Sequence, residues 1–179
     1  MSASAFSIWF TGLPASGKTT LANLLADELA KRNIQSQVLD SDKMRKVLTP
    51  QPDYTPEERD WFYHTLSFFG GLLVKNGVNT IISATAHRRE HREDARKYMP
   101  EFIEVYVRCS LKTCIERDQK GIYKKAIEGN ATTVPGVQEL YEEPTMPAII
   151  VDTEQDPPMV CLQKILGRLV DFGHIPELM

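Results

Sequence analysis

The sequence predicts an α/β protein: a three-layer α/β/α arrangement around a five-stranded, mostly parallel sheet, with a mobile lid. Two observations carry this. Short apolar or β-branched runs alternate with amphipathic stretches along the whole chain, the pattern of repeated β-α units joined by right-handed crossovers. In addition, Gly12-Leu13-Pro14-Ala15-Ser16-Gly17-Lys18-Thr19 fits G-x-x-x-x-G-K-[ST] at every fixed position and lies between a strand-like run and a helix-like one. With 179 residues the expectation is one domain over 1–179, of the P-loop NTPase type.

Phe6 to Phe10 read as the first strand and Thr20 to Arg32 as the first helix, whose Leu21, Leu24, Leu25 and Leu29 recur with helical spacing. Gln35 to Leu39 form a second strand running into Asp40-Ser41-Asp42, followed by one or two helical turns through Leu48. Thr55-Pro56-Glu57-Glu58 is a helix start, with a capping residue, proline at the first position and Glu three residues after the cap. That helix runs to the stop at Asn76-Gly77. Val78 to Ser83 is the third strand, Arg88 to Lys97 a basic helix and Phe102 to Val107 the fourth strand. A short helix then carries Arg117-Asp118 at its end. Residues 119–144 show little apolar periodicity but carry Gly121, Gly129, Gly136 and paired lysines, the composition of a lid over a nucleotide. Ala148 to Val151 is the fifth strand, and a last helix presents Leu162, Ile165, Leu166 and Leu169 on one face.

Composition narrows the function classes. Hydrophobic residues at 42% and charged ones at 25% place the chain among ordinary globular proteins, and no apolar run approaches the length of a membrane span. The short apolar N-terminal stretch lacks a basic flank, so it reads as a core strand in a cytoplasmic protein. A net charge of −3 argues against nucleic acid as partner. Cys109, Cys114 and Cys161 lack metal-ligand spacing and read as small core residues.

The motif specifies chemistry. Residues Gly12, Leu13, Pro14, Ala15, Ser16 and Gly17 form a turn whose N–H groups converge on an anion, and the helix through Thr20 aims its positive end at the same place. Lys18 should reach the β- and γ-phosphates of a nucleotide, and the Thr19 hydroxyl should hold Mg²⁺. The chain lacks the Asn-Lys-x-Asp of guanine-recognising proteins. Asp40 and Asp42, two apart at a strand end, could project together, one accepting a proton from an attacking hydroxyl while the other orients metal-bound water or substrate. The alternative to that chemical role is a solvated turn with Asp42 as a helix cap. Arg45, Arg59 and Arg92, converging near strand ends, suit an anionic acceptor.

The chain resembles adenylylsulfate kinase, which uses MgATP to phosphorylate the ribose 3′-hydroxyl of adenylyl sulfate (APS). The resemblance is carried by Gly12 to Thr19, Leu39-Asp40-x-Asp42-x-x-Arg45, Glu58-Arg59, Phe102-Ile103-Glu104-Val105, Tyr141-Glu142-x-Pro144 and above all Arg117-Asp118-x-Lys120-Gly121-x-Tyr123-Lys124-Lys125-Ala126. It implies Asp42 as base or hydroxyl-positioning group, Asp40 supporting the metal and acceptor region, and Arg45 and Arg59 clamping the phosphosulfate. It also implies Lys125 or Lys124 swinging in with the lid, Arg117 against the ATP base, and Tyr54 stacked on the acceptor adenine.

Departures from the family pattern fall on the acceptor side. Lys43 follows Asp42, Phe62 stands in the acceptor pocket in place of an Asn, His64 replaces an Arg, and Thr85-Ala86-His87-Arg88 replaces Ile-Ser-Pro-Tyr. Val134 occupies the place of a second stacking ring. Two alternatives therefore stand beside APS: another anionic nucleotide, such as a CDP-linked phosphoramidate, or a nucleotide-binding regulatory module without catalysis. The aromatics Trp61, Tyr63, Phe68 and Phe69 either fill the core, the preferred reading, or form the contact of a homodimer.

Overall fold

In the computed structural model, which describes residues 4–177, five strands form one sheet in the order β2-β3-β1-β4-β5. These are β1 (Ser7–Thr11), β2 (Ser36–Asp40), β3 (Asn79–Ser83), β4 (Phe102–Arg108) and β5 (Ile149–Asp152). Every pairing is parallel, so the expected mostly parallel sheet is wholly so. After β1 the chain builds β2 and β3 on one side and β4 and β5 on the other, which opens a crevice beyond the carboxyl end of β1.

Alternation along β1 divides the core. Ile8 and Phe10 face α1 (Lys18–Lys31) and α7 (Pro158–Asp171), meeting Leu21, Leu25 and Leu29 from one and Leu162, Ile165 and Leu169 from the other. Trp9 points the other way, into Phe62, Tyr63 and Leu66 of α3 (Pro56–Lys75) and Ala95 of α4 (Arg89–Tyr98). Its indole N–H donates to Ala84 O at 3.2 Å, so the largest core side chain carries no orphan donor.

The remaining helices are α2 (Ser41–Leu48), α5 (Leu111–Glu116) and α6 (Ile122–Ile127). α3 begins as expected: Thr55 Oγ1 accepts from Glu58 N at 3.2 Å, with Pro56 at the first position. Glu58 does not return to the cap; its Oε2 accepts from Asp53 N at 2.6 Å and Tyr54 N at 3.2 Å. α1 begins two residues before the expected Thr20, which places Lys18 and Thr19 in its first turn. The 119–144 stretch is more ordered than its composition implies. Within it Tyr123, Ala126 and Val134 are buried with Cys109 and Cys114 in a small third cluster against Leu13 and Ala15.

The three cysteines are free and buried, as expected. The aromatics of α3 divide. Tyr63 is core, but Trp61, Phe68 and Phe69 are 49%, 53% and 37% exposed, so the preference for core placement is corrected at these three. The helix is long enough that one face packs on the sheet while the opposite face meets solvent.

Candidate active site

At the end of β1 the chain turns through Gly12, whose φ of 151° brings its backbone against β4. A Cβ there would lie 2.5 Å from Val107 O and 2.8 Å from Ser16 Oγ, so no other residue fits. Ala15 and Gly17 also take positive φ, at 61° and 101°, and curl the loop until α1 starts at Lys18. Lys18 folds into this turn, donating from Nζ to Gly12 O at 2.9 Å and Leu13 O at 2.7 Å. Burial lowers its ammonium pKa to about 8, against the opposing pull of the Asp42 and Asp40 carboxylates. Ser16 Oγ is buried with no hydrogen-bond partner. A helix N-terminus, a lysine and an unpartnered hydroxyl around one turn are the donor set an anionic oxygen requires.

The next layer joins this loop to β2. Thr19 Oγ1 donates to Asp40 Oδ2 at 2.8 Å and lies 3.1 Å from Ser83 Oγ at the end of β3. Asp40 Oδ1 accepts from Asp42 N at 3.1 Å and Lys43 N at 3.2 Å. Asp40, not Asp42, is therefore the helix cap, and the charges of both carboxylates act on Lys18 and Lys120. Asp40 ends β2 while Asp42 lies in the first turn of α2, so strand alternation does not relate them. Asp40 is buried; Asp42 stays half exposed and forms an ion pair with Lys120 Nζ. Asp42 also raises the Lys120 pKa against the lowering effect of burial.

Across the crevice, Arg45 is buried between rings. Its guanidinium lies 3.8 Å from the Phe62 ring centroid and 5.0 Å from that of Tyr54, with Nη1 on Glu58 Oε1 at 2.9 Å. Phe62 is fully buried, so it supports Arg45 from beneath. Arg59 donates to Tyr54 O at 3.1 Å, to Thr133 O at 2.5 Å and toward His87 Nδ1 at 3.3 Å. Tyr54 has a φ of 56°, an uncommon backbone state for a bulky residue, and its ring lies 5.5 Å from the Arg59 guanidinium.

Arg92 departs from expectation. It is 2% exposed and spends its donors on Glu104 Oε1 at 2.8 Å, Glu142 O at 2.5 Å and the carbonyl of Ala86, so it braces β4 and the β3–α4 loop and does not face an acceptor. His64 likewise lies away from the crevice, on Asp94 at 3.4 Å and edge-on to Tyr98. Val134 faces the cluster around Tyr123.

The lid stretch touches the loop directly. Tyr123 Oη donates to Pro14 O at 2.9 Å, while Asp118 caps α6 through the N–H groups of Ile122, Tyr123 and Lys124. Lys125 is exposed on α6; the lysine that meets Asp42 is Lys120. Arg117 donates to Thr153 O at 2.9 Å and Oγ1 at 3.3 Å, and Thr153 Oγ1 donates to Ser16 O at 2.8 Å, which places Arg117 beside the phosphate loop.

A family model described as adenylylsulphate kinase matches residues 4–152. The chain belongs to the adenylylsulphate kinase family. An adenylyl-sulfate kinase of Thermodesulfovibrio yellowstonii is 43% identical over 93% of this chain and 84% of its own length. A probable bifunctional SAT/APS kinase 2 of Sorangium cellulosum is 35% identical over 97% of the chain, which spans 30% of that longer relative. The Mycobacterium tuberculosis APS kinase CysC, solved in complex with AMPPNP and APS, superposes with a TM-score of 0.89 at 29% identity, covering 95% of this chain and 99% of that one.

Four residues that sequence reading did not single out as functional touch the candidate site residues: Lys120, Ser83, Thr153 and His87. Lys120 stood inside the Arg-Asp-x-Lys-Gly string, where the string itself was a usable signal. Ser83 and Thr153 reach the loop only through strand order, since each follows or ends a strand far from Gly12 in sequence. His87 was noted only as a departure, yet its ring meets Arg59.

Proposed function

We propose that this chain transfers the γ-phosphoryl group of ATP to the ribose 3′-hydroxyl of adenylyl sulfate. The observation that carries the reading is the opposition of two built halves across one crevice: an anion cradle at Gly12–Thr19 and two buried, aromatic-packed guanidiniums at Arg45 and Arg59. Asp42 and Lys120, in sequence-distant contact with each other, both act on Lys18 of the cradle.

On the donor side, the amides of the loop and the Ser16 hydroxyl receive phosphate oxygens. Lys18 exchanges its bonds to the Gly12 and Leu13 carbonyls for bonds to the β- and γ-phosphates, and Arg117 lies along the base. Thr19, Asp40 and Ser83 form a set of oxygen donors that suits Mg²⁺. Bound there, Mg²⁺ would supply neutralisation of phosphate charge. The Thr19 hydroxyl would hold it, with Asp40 orienting that hydroxyl.

On the acceptor side, Arg45 and Arg59 hold the phosphosulfate and Tyr54 offers its ring to the adenine. Asp42 accepts the hydroxyl proton or orients the hydroxyl for in-line attack. Lys120 pairs with the Asp42 carboxylate and brings positive charge next to the transferring group. Lys125, exposed on α6, is the second lid lysine available to the phosphates as the 119–144 stretch closes and excludes water.

Acceptor-dependent ADP release with Mg²⁺ and ATP, measured on adenylyl sulfate, CDP-linked anions and nucleoside monophosphates, tests the assignment. Saturable turnover with adenylyl sulfate is expected. Turnover confined to a cytidine nucleotide overturns the acceptor, and ATP binding with no acceptor-dependent turnover overturns the kinase reading.

We also propose a homodimer through the exposed face of α3. Trp61, Phe68, Phe69 and Leu72 recur there with helical spacing. Phe68→Glu is expected to shift the mass measured by light scattering from two copies to one, and a wild type of one-copy mass contradicts the dimer.

A further inference from the structure

The loop between β3 and α4 carries an imidazole that the transfer chemistry leaves unused. His87 is 1% exposed, and three elements close around it. Its Nδ1 lies 3.3 Å from Arg59 Nη1 on α3. A guanidinium has only donors, so Nδ1 is the unprotonated acceptor and the ring is neutral with its hydrogen on Nε2. That Nε2 faces Glu139 Oε2 at 3.9 Å. The His87 carbonyl accepts from Glu142 N at 2.8 Å, and Arg59 Nη2 donates to Thr133 O at 2.5 Å. One side chain thus stands between the arginine and the 133–142 stretch and bonds or faces both.

Geometry limits what Arg59 can do alone. Of its five N–H groups, three are spent on Tyr54 O, His87 and Thr133 O, and two are left for a ligand. The plane of those two is set by the three that are bound. Around the ring stand Arg59, Arg88, His91, Glu139 and Glu142, and burial together with Arg59 holds the imidazole well below its usual range. The neutral form that can accept from Arg59 is therefore the one present at neutral pH.

We propose that His87 is a positioning residue for the acceptor: it fixes the plane of the Arg59 guanidinium and couples that plane to the 133–142 stretch. The consequence is selective. Loss of the acceptor atom at Nδ1 weakens binding of the acceptor's anionic group and leaves the phosphate loop untouched, because among the described residues the hydrogen bonds, ion pair and ring contact of His87 run to Arg59, Glu142, Glu139 and His91 and not to Gly12–Thr19. The inference rests on the reading of Arg59 as an acceptor clamp.

His87→Leu removes the acceptor atom, and His87→Asn restores one, since Asn Oδ1 takes the place of Nδ1. Steady-state kinetics should show KM for adenylyl sulfate about tenfold higher in His87→Leu, recovery to within about threefold in His87→Asn, and KM for ATP within about twofold in both. An unchanged KM for adenylyl sulfate in His87→Leu overturns the proposal, as does an equal rise in both variants. Two readouts need no acceptor and separate this inference from the function assignment. In the wild type, ¹⁵N shifts of the His87 ring should report the neutral Nε2–H tautomer; a proton on Nδ1 overturns the proposal even where the leucine variant does not fold. Limited proteolysis within 133–142 should be faster in His87→Leu, and an unchanged rate overturns the coupling. A wild type that turns over no adenylyl sulfate while both of these readouts hold refutes the acceptor and leaves the positioning role standing.

Discussion

Thr19 Oγ1 donates to Asp40 Oδ2 across 2.8 Å, while the other oxygen of the same carboxylate caps α2. One buried aspartate therefore joins the helix that follows the phosphate loop to the helix that carries Asp42 and Arg45. Asp40→Ala removes a cap and leaves the Thr19 hydroxyl short of a partner. A loss of about 2 kcal/mol of stability is expected in urea unfolding, together with a fall in kcat. Stability unchanged within about 0.5 kcal/mol contradicts the double role.

Lys18 links stability to pH. Its pKa is near 8 in the folded chain against 10.5 as a free side chain. Between those values the unfolded chain holds more protons than the folded one, so stability rises as pH climbs from about 8 to about 10.5. Lys18→Met removes a contribution on the order of 3 kcal/mol to that rise, an upper figure for a buried group. Urea midpoints for both proteins across this window check it; parallel curves contradict it. ATP binding near pH 8 should also take up protons, read as a buffer-dependent enthalpy in calorimetry, because phosphates favour the ammonium form.

Asp42→Asn keeps the shape and removes the charge that pairs with Lys120. A drop in kcat of at least about 100-fold is expected, with the ATP dissociation constant within about threefold. An unaltered kcat removes Asp42 from the mechanism.

Tyr123→Phe removes the hydroxyl that donates to Pro14 O at 2.9 Å, from a side chain with no exposed surface. About 1 kcal/mol of stability should be lost, with a higher KM for ATP, since the loop loses its tie to α6. Equal KM values in wild type and variant show that the tie does not hold the loop in shape.

How much of this could be read beforehand follows from the range of each interaction. The phosphate loop is local: its glycines, lysine and threonine lie within one eight-residue stretch, and the structure sets that stretch between β1 and the first turn of α1. The alternation of strands and helices is local too, with boundaries shifted by one or two residues at β2 and α1. Asp40 and Asp42 were related by strand alternation, but the strand ends at Asp40 itself and Asp42 lies in the first turn of α2, so it is the strand-to-helix turn that sets both carboxylates near Lys18. Arg92 was grouped with Arg45 and Arg59 by charge and by its expected place near a strand end. Only its burial among Glu104, Ala86 and Glu142 reveals a brace, and burial depends on which helix face meets the sheet. Contacts such as Lys120 with Asp42 or Thr153 with Ser16 join residues far apart in sequence, and strand order decides them.

Product identification is the most direct test of phosphoryl transfer to adenylyl sulfate. Wild-type protein incubated with Mg²⁺, ATP and adenylyl sulfate should yield ADP and a ribose 3′-phosphorylated product in equal amounts, resolved by ³¹P NMR and mass spectrometry. ADP accumulating while adenylyl sulfate remains unmodified, or phosphate appearing at another position, would contradict the assignment.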